Sequence, residues 1–253
     1  MAKNWTEHEL LIAMNLYCKL PFGKLNHRNK LIVQVAEKMG RTPSSLSMKL
    51  CNFASFDPAL QARGIKGLRG ASQADRKMWA AFASGWDTMS EQSEAAYEEL
   101  MGSTSKLQLP EVRQIPDGPS EVERTVKTRR LQTFFRNTVL ASYEFKCAVT
   151  GVTVPKLLIA SHIIPWSKDE SRCADPTNGL CLNALYDRAF DGGLITFDEE
   201  FRMVVSGILK KDRPPEFQQI NFLKQEGRAL ILPHRFHPDN SAMQHHREII
   251  FIP

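Results

Sequence analysis

No C-x-x-C pair occurs in the 253 residues, and the five cysteines (Cys18, Cys51, Cys147, Cys173, Cys181) are an odd number. That usage argues against both a disulfide framework and a zinc knuckle. Cys147 and Cys181 sit in apolar runs and read as small core hydrophobes. His234, His237, His245 and His246 lack the regular spacing of a zinc site. No apolar run reaches membrane length and no charged-then-apolar leader opens the chain, so the expectation is a soluble cytoplasmic protein without a membrane partner. Internal repeats are absent. Excess charge is small as well, at +5 overall, but it is unevenly placed. Residues 1–70 hold eleven Lys or Arg against four Asp or Glu, a local +7. Residues 71–120 hold four against eight, a local −4, which leaves +2 for residues 121–253. A basic amino-terminal third suggests a polyanionic partner.

The chain allows one or two domains, and its punctuation favours two. Thr6-x-x-Glu9 is a capping box, and Leu10, Leu11, Met14 and Tyr17 give the helix behind it an apolar face that ends at Pro21-Phe22-Gly23. A second helix is expected from about Asn29 to Met39, stopping at Gly40. Thr42-Pro43 then supplies an N-cap and a first-turn proline for a third helix. Leu46 and Leu50 share one face of that helix, leaving Ser44, Ser45, Ser47 and Lys49 for the others. A short turn feeding a helix rich in small polar residues is how helix-turn-helix modules present base-reading side chains. Ser72-x-x-Asp75 caps another helix to about Phe82, and an acidic helix covers about Ser90 to Leu100. Residues 102–120, rich in Ser, Thr, Pro and Gly, read as a linker between a helical domain (1–101) and a second domain (121–253). An amphipathic helix over 121–143 opens the second domain, with Leu131, Phe134, Phe135 and Leu140 as its apolar material. Its Arg124, Lys127, Arg129, Arg130 and Arg136 fit either a DNA path or a solvated face.

The chemistry-bearing residues lie further on. Ser161-His162-Ile163-Ile164-Pro165-Trp166 is followed by Asn178-Gly179-Leu180 and by Asp187-Arg188-Ala189-Phe190-Asp191. Lys156 to Ile163 reads as a strand, Pro165 to Thr177 as a loop, Gly179 to Asn183 as a second strand and Ala184 to Phe190 as a helix. Leu194–Phe197 and Met203–Val205 then read as a hairpin. Asp187 and Asp191 are four apart, so both carboxylates project from one helix face. Taken singly, each residue also has an ordinary structural reading. A histidine after an apolar strand is usually structural, Asn178-Gly179 is a turn signal, and Asp187 could be an exposed charge beside Arg188.

In this order and spacing, the segment from about Cys147 to Phe201 resembles the HNH nucleases, the ββα-metal or His-Me finger family. The resemblance implies a ββα-metal nuclease domain here, and with the helical, helix-turn-helix-like unit ahead of it the expected fold class is α+β. The resemblance places His162 at the general base, Asn178 at the middle position and Asp187 where the final histidine usually sits. Two departures stand out. Ser161 precedes the base where many members carry Asp or His as a metal ligand, and Asp187 replaces the final histidine. A metal held by Asp187 and Asp191, with Ser161 as a weak third candidate, has an all-oxygen donor set that suits Mg²⁺ or Mn²⁺ better than Zn²⁺. A neutral His162 can take a proton from water at physiological pH, and Asn178 can both donate and accept to pin the loop that orients it.

The amino-terminal segment is similar to the domains that precede HNH modules in some modification-dependent restriction endonucleases. Leu20-Pro21-Phe22-Gly23-Lys24-Leu25, Gly40-Arg41-Thr42-Pro43, Lys49-Leu50-Cys51-Asn52-Phe53-Ala54 and Arg63-Gly64-Ile65-Lys66-Gly67-Leu68 carry that similarity. It implies double-stranded DNA as the partner, with modified cytosine as the feature read. Arg41, Ser44, Ser45, Lys49, Arg129 and Arg130 are the expected DNA contacts. Three-helix modules also mediate protein contacts, and Trp5 and Phe22 read as core. The expectation is a metal-dependent DNA endonuclease, and cutting both strands favours a homodimer. The alternatives are a conventional sequence-specific HNH nuclease, or a non-catalytic DNA-binding protein with a degenerate HNH fold.

Overall fold

Thr6 accepts from the Glu9 amide while the Glu9 carboxylate accepts from the Thr6 amide, and this reciprocal cap starts α1 (Glu7–Lys19). Asn29 caps α2 (Lys30–Lys38), and Thr42 with Pro43 starts α3 (Pro43–Ala54). The sequence reading missed α4 (Pro58–Ala62), capped by Asp57, because five residues are too few to show an apolar period. Ser72 and Asp75 form a second capping box at α5 (Gln73–Ser84). Gly85 separates α5 from α6 (Trp86–Met101), which begins a turn earlier than its acidic run suggests. A long helix, α7 (Val122–Ser142), leads into the second half. The computed structural model describes residues 4–65, 70–102, 122–211 and 213–253. Nearly all of the expected linker, Lys66-Gly67-Leu68 and the Arg124 side chain lie outside the described residues.

In the second half β1 (Leu158–His162) pairs antiparallel with β2 (Gly179–Asn183), in a register that sets His162 opposite Gly179. Strand β1 starts later than its apolar run because Pro155 opens a 3₁₀ turn over Pro155–Leu157. Asn183 caps α8 (Ala184–Asp191) directly after β2. The expected hairpin follows as β3 (Ile195–Phe197) and β4 (Met203–Val205). Two short helices, α9 (Glu216–Asn221) and α10 (Asn240–His245), come next, and α10 runs into a π-helical turn over His246–Ile250.

Adjacent phenylalanines on α7 face opposite ways. Phe134 joins the core of α1–α6, together with Cys173, Ala174 and Phe236 from the second half. Phe135 joins the core beneath β1, β2 and α8. Burying a phenylalanine side chain contributes about 1.5–3 kcal/mol, so α7 is anchored on both sides. It is therefore a shared wall and not a helix with one apolar face. Trp5 and Phe22 pack against the first core, as their apolar character suggested. Cys147 and Cys181 are buried in the second.

Candidate active site

Strand β1 ends at His162, and the fold grips that side chain from three sides. The Phe135 ring stacks on the imidazole with centroids 3.6 Å apart and planes 10° from parallel. This close approach depends on Gly179. A Cβ there would fall 2.5 Å from Val139 Cγ2 and 2.9 Å from Phe135 Cζ, so only glycine lets α7 lie against β2. His162 Nε2 is 3.0 Å from the Cys173 carbonyl oxygen and 3.0 Å from Trp166 Nε1. Trp166 Nε1 is itself 3.4 Å from the same carbonyl. An indole N–H can only donate, whereas a carbonyl oxygen has two lone pairs. Two neutral tautomers fit these distances. In one, Nε2 accepts from the Trp166 indole; in the other, Nε2 donates to the Cys173 carbonyl while the indole turns to the carbonyl's second lone pair and Nδ1 is left as the basic nitrogen. Burial holds the His162 pKa down at about 4, so the ring is neutral at physiological pH.

Asn178 is fully buried and ties the loop after β1 to the start of β2. Its Oδ1 accepts from the Ile164 amide at 2.9 Å, and its Nδ2 donates to the Ile164 carbonyl at 3.1 Å. It does not touch the His162 ring; it fixes the backbone two residues further on. Arg172, paired with Asp175 and Asp239 at 2.9 Å each, braces the far side of the loop.

Asp187 and Asp191 come from one face of α8 and share a cleft of about 430 Å³ with Ser161, His162, Trp166 and His246. Burial raises the Asp187 pKa, against the opposing influence of the Ser161 hydroxyl. Asp191 lies nearer the rim, yet the surrounding protein and then the charge of Asp187 push its pKa up to about 6. Ser161 Oγ is buried and makes no hydrogen bond of normal geometry, though it lies close enough to both carboxylates to favour their charged forms. A buried hydroxyl without a partner is costly. Here it faces two carboxylates that repel each other, and a hard cation would satisfy all three. The residues thus fit an oxygen-liganded divalent metal, although no three His, Cys, Asp or Glu side chains converge among the described residues. His246 has no free nitrogen to offer. It stacks on Phe190, its Nδ1 is 2.9 Å from Thr196 Oγ1, and its Nε2 is 3.1 Å from the Phe190 carbonyl.

Residues 147–198 match the HNH endonuclease family model. The matched stretch contains both strands, α8 and every cleft residue named above except His246. No curated protein matches the chain. The family match covers residues 147–198 and none of the helical half.

Several expected DNA contacts are placed differently from the sequence reading. The Lys49 ammonium is buried 2.5 Å from Asp75, which also accepts from Asn52 at 3.1 Å. Ser47 is buried too and donates to the Leu25 carbonyl. Arg41 forks onto Glu9 at 2.9 and 2.7 Å and lies over the Trp5 ring, holding the Glu9 carboxyl down at about 2. These charges hold the helical unit together, because the other helices of the unit approach α3 and its preceding turn on the sides that carry them. Arg130 pairs with Glu91 and Glu98 of α6, and Arg136 donates to the Leu158 carbonyl. Ser44 and Arg129 are exposed and Ser45 is half-buried. Lys24, Arg28 and Lys30, around the turn before α2, are exposed, and the sequence reading did not single them out as contacts. Trp166, Phe135 and the Cys173 carbonyl were missed as partners of His162. Trp166 lay within the motif, but a backbone carbonyl leaves no sequence signal.

Proposed function

We propose that this chain is a metal-dependent DNA endonuclease whose HNH segment hydrolyses phosphodiester bonds. The observation that carries the reading is the pairing, in one cleft, of a neutral, oriented imidazole with two carboxylates and a buried serine hydroxyl that faces them. His162 takes the proton of the attacking water at Nδ1, while Nε2–H on the Cys173 carbonyl holds the ring in place. Asp187, Asp191 and Ser161 would hold Mg²⁺ or Mn²⁺, which supplies positive charge at the phosphate and the leaving oxygen when bound. Asn178 acts through the backbone, holding Ile164, just beyond the end of β1, against the entry to β2. The Phe135 ring and the Trp166 indole exclude water from one side of the imidazole.

The helical half supplies the DNA contact. The +7 of residues 1–70 supports this, and Lys24, Arg28 and Lys30 are exposed cations placed to meet phosphates, with Ser44 and Ser45 of α3 and Arg129 of α7 in reach of solvent as further candidates. The finer reading is restriction of DNA bearing modified cytosine, carried by the similarity of the amino-terminal motifs and implying cytoplasmic action and a homodimer. Plasmid cleavage with metals varied and with methylated and unmethylated DNA tests these levels separately. Cutting that needs Mg²⁺ or Mn²⁺ and fails in Asp187→Ala and Asp191→Ala supports the nuclease reading; full activity in excess EDTA removes the metal from it. Equal cutting of both DNAs leaves a conventional HNH nuclease. DNA binding without cutting under any metal leaves a non-catalytic fold.

A further inference from the structure

The Cys173 carbonyl that receives His162 Nε2 does not stand alone. The next peptide N–H, that of Ala174, donates to Asp87 Oδ1 at 2.7 Å, and the Cys173 amide approaches the same carboxylate. Asp87 is not part of the HNH segment. It lies in the first turn of α6, in the helical half, 87 residues before Ala174. Cys173 and Ala174 are themselves buried in the α1–α6 core, beside the Trp86, Phe134 and Phe236 rings. One peptide unit therefore has its N–H side fixed by the helical half and its carbonyl side fixed on the imidazole.

We infer that Asp87 is a positioning residue for His162, acting through the Cys173–Ala174 backbone to set the orientation and tautomer of the ring. Trp166 makes the arrangement sensitive. The indole N–H already lies 3.0 Å from His162 Nε2 in donating geometry, so the Cys173 carbonyl competes with it for that nitrogen, and if the carbonyl withdraws the indole is left to donate there. The ring then accepts at Nε2 and carries its proton on Nδ1, the nitrogen that must be free to take one from water. The helical half thus holds the HNH segment in its competent form by a contact that the segment alone cannot make. Asp87 also favours the positive end of α6, a purely structural benefit that would leave His162 unaffected.

This inference rests on the nuclease reading for its kinetic arm but not for its spectroscopic one. The experiment uses the full chain, labelled with ¹⁵N-histidine, as wild type, Asp87→Ala and Asp87→Asn, with His162→Gln to assign the signal. The wild type should show His162 protonated on Nε2. Asp87→Ala should shift the ring toward Nδ1 protonation and lower kcat by on the order of 10²-fold with little change in KM, the usual cost of misplacing a reacting group. Asp87→Asn keeps an acceptor oxygen and should restore most of both. Should Asp87→Ala not fold, Asp87→Glu keeps the charge at α6 but pushes the loop by one methylene, and the same shift is expected. A folded Ala or Glu variant with wild-type His162 signals overturns the inference, as does one that loses only thermal stability. If the wild type cuts no DNA, the nuclease reading falls, and the His162 signals still decide whether Asp87 sets the ring.

Discussion

The guanidinium of Arg235 donates to the Tyr17 carbonyl at 2.7 Å, across 218 residues of sequence. It also donates to the Cys18 and Leu20 carbonyls and lies 4.4 Å from the centre of the Tyr17 ring. The last carbonyls of α1 have no partner within their own helix, and a fully buried arginine from the far end of the chain supplies one. The amino-terminal helices and the carboxy-terminal segment are therefore joined by a charged group that has no route back to water.

Arg235→Met should therefore destabilise the protein by roughly 2–5 kcal/mol, because several buried carbonyls lose their donor at once. Urea unfolding of the full chain measures it. A change smaller than the error of the midpoint would show that water reaches these carbonyls.

His162→Ala should lower cleavage by about 10²–10⁴-fold while DNA affinity stays near wild type. Single-turnover cleavage beside a gel-shift titration separates the two effects. Wild-type cutting by this variant would remove His162 as the base.

Acid should weaken the fold through His246. Burial lowers its pKa from 6.5 to about 4, so the unfolded chain takes up a proton before the folded one does. The stability linked to the neutral ring is whole above about pH 6.5 and is lost as pH falls toward 4. The slope is about 1.4 kcal/mol per pH unit inside that window. His162, lowered in the same direction, adds to it. Urea midpoints between about pH 7 and 4.5 should fall less steeply in His246→Gln, and identical slopes would mean that His246 titrates normally.

Lys49→Met and the triple change of Lys24, Arg28 and Lys30 to Gln should behave oppositely. The first breaks a buried pair and should cost about 3–5 kcal/mol of stability. The second should leave stability alone and flatten the salt dependence of DNA binding, by roughly 0.9 in slope for each phosphate that the variant no longer neutralises. An unchanged slope in the triple variant would move the DNA path away from this turn.

Local signals made most of the elements legible. Capping boxes at Thr6 and Ser72, the Thr42-Pro43 start, the Gly85 break and the Asn178-Gly179 strand entry each act within a few residues, and the elements they predict are present with ends shifted by a turn or less. The four-residue spacing of Asp187 and Asp191 likewise sufficed to put both carboxylates on one face of α8. Surface charge was the poorest guide. Arg41, Lys49 and Arg130 look like any exposed basic residue in sequence, and only the approach of Glu9, Asp75, Glu91 and Glu98 from other helices gives them carboxylate partners, burying Arg41 and Lys49 and pairing Arg130 at the surface.

The sequence by itself determined which groups the candidate site has to work with: His162, Asn178, Asp187, Asp191 and the uncommon Ser161. Their order and local backbone follow from short-range turn and capping chemistry. Tertiary structure decided how those groups are tuned. The stacking of Phe135, the meeting of Trp166 with the Cys173 carbonyl and the hold of Asp87 on the next peptide come from elements brought together only by folding. Packing alone sets such distances, and both the orientation and the pKa of a buried imidazole depend on them.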